Sequence, residues 1–211
     1  MSGAEQGDLF GSAAAARPDL PPGFIYREDF ITAEEEAGLL AHIARLPLSE
    51  SRYHQWTAKR RTVSYGGSYD FSHQSMGPAD PVPEFLHALR ARLAAWAGVA
   101  PEQFSYGLVT EYRPGTQLGW HRDVPDFELV AGVSLQGVAR MRFRPYPPAS
   151  EVARATCHID LAPRSAYLIR DAARWEWQHA VSPTKMLRYS ITLRTARDRR
   201  GRAGAGASRL R

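Results

Sequence analysis

The chain has 211 residues, 44% hydrophobic and 23% charged, enough for one domain with a full core and ordinary for a soluble globular protein. A single cysteine, Cys157, excludes an internal disulfide and a thiolate zinc site, and fits a reducing compartment. The formal charge of +5 sits entirely in the last fifteen residues, which hold six Arg and one Asp, so the body balances 21 basic against 21 acidic side chains.

Residues 1–22 are rich in Ala, Gly and Pro and are expected to be a flexible N-terminal segment. They carry Glu5 and Asp8 in place of a basic start and an apolar run, so no secretory signal is read. No later stretch approaches the roughly 18 apolar residues of a membrane span. A cytoplasmic location and a monomer are the expectation. Thr32 with Glu35 forms a capping-box pattern, and Leu39, Leu40, Ile43 and Leu46 give a helical apolar face that Pro47 ends. A second helix is predicted from about Pro83 to Ala97, with Phe85, Leu89, Leu93 and Trp96 on one face and Gly98 as its stop. Between the helices, the aromatic and basic stretch from Tyr53 to Phe71 reads as short strands and loops.

From Phe104 the period changes to two. Tyr106–Tyr112, Leu129–Leu135, Ala139–Arg144, Ala155–Leu161, Ala166–Arg170 and Leu187–Thr195 read as strands separated by turns. This gives an α+β chain: a double-stranded β-helix, or jelly-roll, core with N-terminal helices packed on one sheet. Residues 23–196 form its single domain. The tail over 197–211 is expected to be disordered, and it can either hold phosphates without sequence preference or simply be solvated.

Gly119-Trp120-His121-Arg122-Asp123 contains His-x-Asp. On an extended segment residues i and i+2 share a side, so His121 and Asp123 can bind one ion. A second histidine completes the two-His-one-carboxylate triad of non-haem iron sites, and His179 supplies it from a later strand. His158-Ile159-Asp160 repeats the tripeptide without the surrounding pattern. In Arg188-Tyr189-Ser190-Ile191-Thr192-Leu193-Arg194 the polar residues alternate strictly with apolar ones. Two Arg on the inner face of a barrel-like core call for anions; on a solvent face they would need none. Zinc also accepts two His and a carboxylate, but would leave these Arg without a carboxylate partner.

His121-x-Asp123, His179 and Arg188-x-Ser190-x-Thr192-x-Arg194 together resemble the AlkB-like family of 2-oxoglutarate/Fe(II)-dependent dioxygenases. Tyr112-Arg113-Pro114-Gly115 before Trp120-His121, and Pro163 through Arg174, Trp177 and His179, follow the same pattern, as does the segment from Arg61 to Phe71. The resemblance implies that His121, Asp123 and His179 hold Fe(II), with 2-oxoglutarate and O2 as co-substrates. It implies that Arg194 pairs with the distal carboxylate of 2-oxoglutarate, helped by the Tyr112 hydroxyl, and that Arg188 lies nearer the metal, close to Asp123 or the first carboxylate. Ser190 and Thr192 line the same face. Thr110 and Ser190 stand where the family often has Asn, and Pro125-Asp126 where some members carry an acidic base reader. The implied activity is oxidative demethylation of N-alkylated nucleobases in DNA or RNA, with Trp56, Arg61, Tyr65 and Tyr69 facing the substrate and Lys59, Arg60, Arg61 or the alternating Arg140, Arg142 and Arg144 reaching phosphates. The same chemistry on a protein or small molecule, and a non-enzymatic jelly-roll binding module, are the alternatives. Ser182-Pro183-Thr184-Lys185 matches Ser-x-x-Lys but lacks the companion motifs of a serine hydrolase.

Overall fold

The computed structural model describes residues 20–53, 56–70, 75–77, 79–148 and 156–198. Strand β1 (Phe24–Arg27) precedes helix α1 (Ala33–Ile43). The α1 cap is reciprocal: Glu35 N–H donates to the Thr32 hydroxyl at 3.2 Å, and Thr32 N–H donates to the Glu35 carboxylate at 2.9 Å. The helix stops one turn before Pro47, so Leu46 packs from beyond its end. Next come β2 (Ser49–Tyr53), β3 (Trp56–Tyr65), and a small hairpin of β4 (Ser68–Asp70) and β5 (Ser75–Gly77). A 3-10 turn leads into α2 (His87–Ala97), which ends on Gly98 in the left-handed region at φ 72°, where a side chain would be strained.

The remaining strands are β6 (Phe104–Tyr112), β7 (Leu118–His121), β8 (Phe127–Leu135), β9 (Ala139–Pro145), β10 (Cys157–Leu161) and β11 (Ala166–Ile169). A five-residue helix, α3 (Asp171–Trp175), then precedes β12 (Trp177–Val181) and β13 (Arg188–Ala196). The eight strands from β6 to β13 form two antiparallel sheets. The larger has the order β1-β11-β8-β13-β6-β3-β2 and the smaller β10-β9-β12-β7. This is the expected jelly-roll core, with β1, β3 and β2 added at the edges of the larger sheet.

The alternation of β13 decides where the core lies. Ile191 and Leu193 are fully buried on its outer face, packed with Leu39 and Ile43 of α1 and Leu89 and Leu93 of α2. Each such side chain contributes about 1.5–3 kcal/mol relative to exposure. The helices therefore cover the outer face of the larger sheet, as expected. Arg188, Ser190, Thr192 and Arg194 face inward, between the sheets. A second cluster, including Met141, Phe143, Ile159, Leu161 and Ile169, closes one end of that space.

Three parts differ from expectation. The stretch expected to be short strands and loops contains β3, a ten-residue strand paired with β6 from Arg61↔Glu111 to Tyr65↔Gly107. Strand β1 and helix α3 carry too few residues to show a period. Residues 20–22, assigned to a flexible segment, are tied down: the Pro22 carbonyl accepts from Ala173 N–H at 2.7 Å, and Leu20 packs on the second cluster. The rest of that segment and the tail beyond residue 198 lie outside the described residues. No helix among the described residues is long and apolar enough to cross a membrane.

Candidate metal and co-substrate site

A cavity of about 1280 Å³ opens between the two sheets, lined chiefly by β6, β7, β12 and β13. His121 ends β7 and pairs in register with His179 of β12, which sets the two imidazoles 4.2 Å apart between ring centres. Asp123 follows two residues after His121, on the same side. One ligand atom from each of His121, Asp123 and His179 falls within 4.8 Å of the others, a group that can hold a metal ion. His121 Nδ1–H donates to the Gly119 carbonyl at 2.9 Å, the tautomer that leaves Nε2 as the free lone pair.

The electrostatics keep these groups in the protonation states that bind metal. Burial pushes the Asp123 carboxyl up, but Arg194 and the two histidines outweigh it, and the net shift is downward. Burial, reinforced by His121, lowers His179 to about 3; burial also lowers His121, against the pull of Asp123. At neutral pH Asp123 is thus ionised and both imidazoles are neutral. The 3.7 Å approach of His179 Nε2 to Asp123 is accordingly no ion pair there.

The two arginines of β13 stand the other way round from the order implied by the resemblance. Arg194 Nε donates to Asp123 Oδ1 at 2.7 Å, and its Nη1 to the Thr192 hydroxyl at 3.1 Å. Arg194 is therefore the arginine at the metal end. Arg188 lies six residues back along the strand and is 1% exposed. Its Nε donates to the Ser134 hydroxyl at 3.1 Å, and its guanidinium carbon sits 4.9 Å from the centre of the Tyr112 ring. No ion pair joins it to a described carboxylate, and its terminal nitrogens bond no described residue. The inner-face parity of β13 is legible in sequence. Which end each arginine occupies depends on where the His-x-Asp strand crosses, and parity is silent on that.

An unpartnered buried guanidinium is costly unless an anion joins it. One end of the cavity thus suits a carboxylate, and the other offers the two-imidazole, one-carboxylate set that suits Fe(II). The loop after Asp123 is clamped from α3: Arg174 Nη2 donates to the Val124 and Phe127 carbonyls at 2.7 and 2.8 Å, and Arg122 Nη1 donates to the Trp175 carbonyl at 2.8 Å.

The chain matches the profile of the 2OG-Fe(II) oxygenase superfamily over residues 27–200. It belongs to that superfamily. Membership brings Fe(II), 2-oxoglutarate and O2 as cofactor and co-substrates. The AlkB-like resemblance also holds. An uncharacterised protein L905 of Acanthamoeba polyphaga mimivirus is 29% identical over 77% of this chain and 74% of its own length. An Arabidopsis thaliana protein named alkylated DNA repair protein ALKBH8 homolog is 27% identical over 84% of this chain; the match spans 59% of that longer protein. Among solved structures, OsALKBH1 superposes with a TM-score of 0.63 over 83% of this chain and 99% of its own, at 14% identity, which speaks to the fold alone.

The residues expected to face a substrate divide. Arg61 points away from the cavity, donating to Glu111 at 3.2 Å and to the Leu48 carbonyl at 2.8 Å, and Tyr65 is buried in the helix-covered core. Their β3 neighbours Arg60, Thr62 and Ser64 line the cavity instead. The polar alternation of Arg60, Thr62 and Ser64 against Val63 and Tyr65 carried this parity, and aromatic character was the wrong guide. Trp56 lies on β3 and Tyr69 on β4, but their side chains fall outside the described residues, as does that of Lys59. Arg140 is taken up by a bidentate pair with Asp160 at 2.7 and 2.9 Å on the outer face of the smaller sheet. Ser134 and Tyr167 were not singled out by sequence, since each belongs to an ordinary-looking apolar or mixed run, and Arg174 was named only as part of the approach to His179.

Proposed function

We propose that this oxygenase removes alkyl groups from nucleobases, with His121, Asp123 and His179 as the Fe(II) ligands. The observation that carries the chemistry is the pairing of a metal-binding triad at one end of a single cavity with the unpartnered Arg188 at the other. When bound, Fe(II) with 2-oxoglutarate and O2 supplies oxygen insertion into a C–H bond, giving succinate and CO2; hydroxylation of an N-methyl carbon releases formaldehyde and the free amine. The chain's own groups bind and orient. Arg188, with the Tyr112 hydroxyl, holds the distal carboxylate of 2-oxoglutarate, while Ser190 and Thr192 floor the cavity between the arginines. Arg194 fixes the Asp123 carboxylate and keeps it ionised. The Arg174 clamp holds the loop that aims Asp123.

A nucleic-acid substrate is supported by the cation–aromatic groups near the cavity: Arg122 and Tyr146 line it, while Arg142 and Arg144 stand on the outer face of the smaller sheet beside it. The Arg142 and Arg144 guanidinium carbons lie 5.0 and 4.6 Å from the ring centre of Trp120, and that of Arg122 lies 3.7 Å from the ring centre of Tyr146. Paired cations and aromatic faces suit phosphates and unstacked bases. The name carried by the Arabidopsis relative points the same way. The test is succinate release with Fe(II), 2-oxoglutarate and O2, with and without an N-methylated oligonucleotide. Turnover that His121→Ala abolishes and His158→Ala leaves intact, with formaldehyde released only when the oligonucleotide is present, is the expected outcome. Turnover indifferent to nucleic acid moves the substrate to a protein or small molecule; none in iron-loaded, folded protein removes the proposal.

A further inference from the structure

Tyr167 occupies the inner face of β11 and is 4% exposed, yet among the described residues its hydroxyl has no hydrogen-bond partner. Its ring lies flat across Gly132, its cross-strand neighbour on β8: a Cβ at Gly132 would come within 2.2 Å of Cζ and 2.4 Å of the hydroxyl oxygen. The glycine therefore exists in a strand interior to let this ring pass. By crossing it the side chain spans β8 and lines the cavity that also holds Arg188, Tyr112, Asp123 and Arg194. Of these, Arg188 and Tyr112 act on it most strongly. Burial pushes its hydroxyl up to about 12, so it remains a neutral donor at any working pH. The cavity floor beneath is made of short side chains, with Ser190 of β13 facing Thr110 of β6 on one side and Ser134 of β8 on the other. Short hydroxyls on a sheet floor leave a carboxylate above them with few donors.

We propose that Tyr167, passed over Gly132, is a specificity-determining positioning residue for the co-substrate, donating its hydroxyl proton to the distal carboxylate of 2-oxoglutarate beside Arg188. The inference rests on the 2-oxoglutarate site of the proposed function. The hydroxyl and the guanidinium approach that carboxylate from different strands, β11 and β13, so together they fix its position as well as its charge. A keto acid without the second carboxylate gains nothing from Tyr167.

The test is calorimetric titration of the full chain loaded with Fe(II) under argon, comparing wild type with Tyr167→Phe for 2-oxoglutarate and for pyruvate. Phe keeps the ring on Gly132, so packing is conserved. One hydrogen bond to a charged group predicts about a tenfold loss in 2-oxoglutarate affinity. Pyruvate, which lacks the distal carboxylate, should bind both proteins within about twofold, the scatter expected for a single unperturbed contact set. Unchanged 2-oxoglutarate affinity, or equal weakening of both ligands, overturns the role of Tyr167. Wild type that binds no 2-oxoglutarate at all overturns the site itself, a different failure.

Discussion

The chain uses His-x-Asp twice, and the two copies share a geometry but not a consequence. Asp123 and Asp160 each accept a hydrogen bond from an arginine Nε at 2.7 Å. Around Asp123 the partner side chains are 14% and 6% exposed; around Asp160 they are 51% and 49% exposed. His121 and Asp123 stand on the inner side of the smaller sheet, opposite the polar face of β13, where a second imidazole arrives from β12. His158 and Asp160 stand on the outer face of β10, an edge strand of the same sheet, where the Arg140 pair meets solvent. Identical local chemistry thus gives a metal-binding group or a surface ion pair according to which face of the sheet it lands on.

The comparison breaks most visibly in turnover. Asp123→Ala should cut succinate production by more than roughly a hundredfold, whereas Asp160→Ala leaves it unchanged, because loss of a direct ligand exceeds the effect of losing an outer contact. Next comes stability. Arg194→Met strands a buried carboxylate and should lower unfolding free energy by about 3–5 kcal/mol in urea titrations of metal-free protein. Arg140→Met, at the exposed pair, should leave the midpoint within scatter.

The two arginines of β13 offer a sharper form of the same contrast. Arg188→Met removes a buried cation that has no described carboxylate partner, so ligand-free protein should gain about 1–3 kcal/mol. It should also lose the thermal stabilisation that 2-oxoglutarate confers on wild type.

A further contrast appears in acid. The folded pKa of His179 lies at about 3 against 6.5 for the free side chain, so below 6.5 the unfolded chain binds a proton that the folded chain does not. Metal-free protein should therefore lose stability progressively as pH falls from about 6.5 toward 3. His179→Ala should flatten that slope.

Much of this was legible in residues. Periodicity of two from Phe104 onward marked the core strands, and the strict alternation of 188–194 named its inner face. The capping box of Thr32 and Glu35 placed the start of α1 within a residue. What periodicity cannot carry is position along an axis: Arg188 and Arg194 share a parity, and only the crossing of β7 over β13 assigns them their ends. Parity itself was misread on β3, where Arg61 and Tyr65 looked like substrate contacts. There the inner side of the sheet takes the small polar residues, and the tyrosine packs outward under the helices. Gly132 was the overlooked signal, since a glycine inside an otherwise β-branched and apolar strand marks a close approach by something else.

The order of the larger sheet has a further consequence. All ligands of the candidate metal group come from β7, β12 and the turn after β7, within the eight-strand core, whereas β2 and β3 hang from β6 at an open edge and β4 and β5 form a hairpin apart. Edges and hairpins absorb insertions and replacements that closed cores reject. Heritable variation can therefore accumulate on β2 and β3, reshaping the wall that Ser49, Arg60, Thr62 and Ser64 give the cavity, while the oxidising centre is passed on intact.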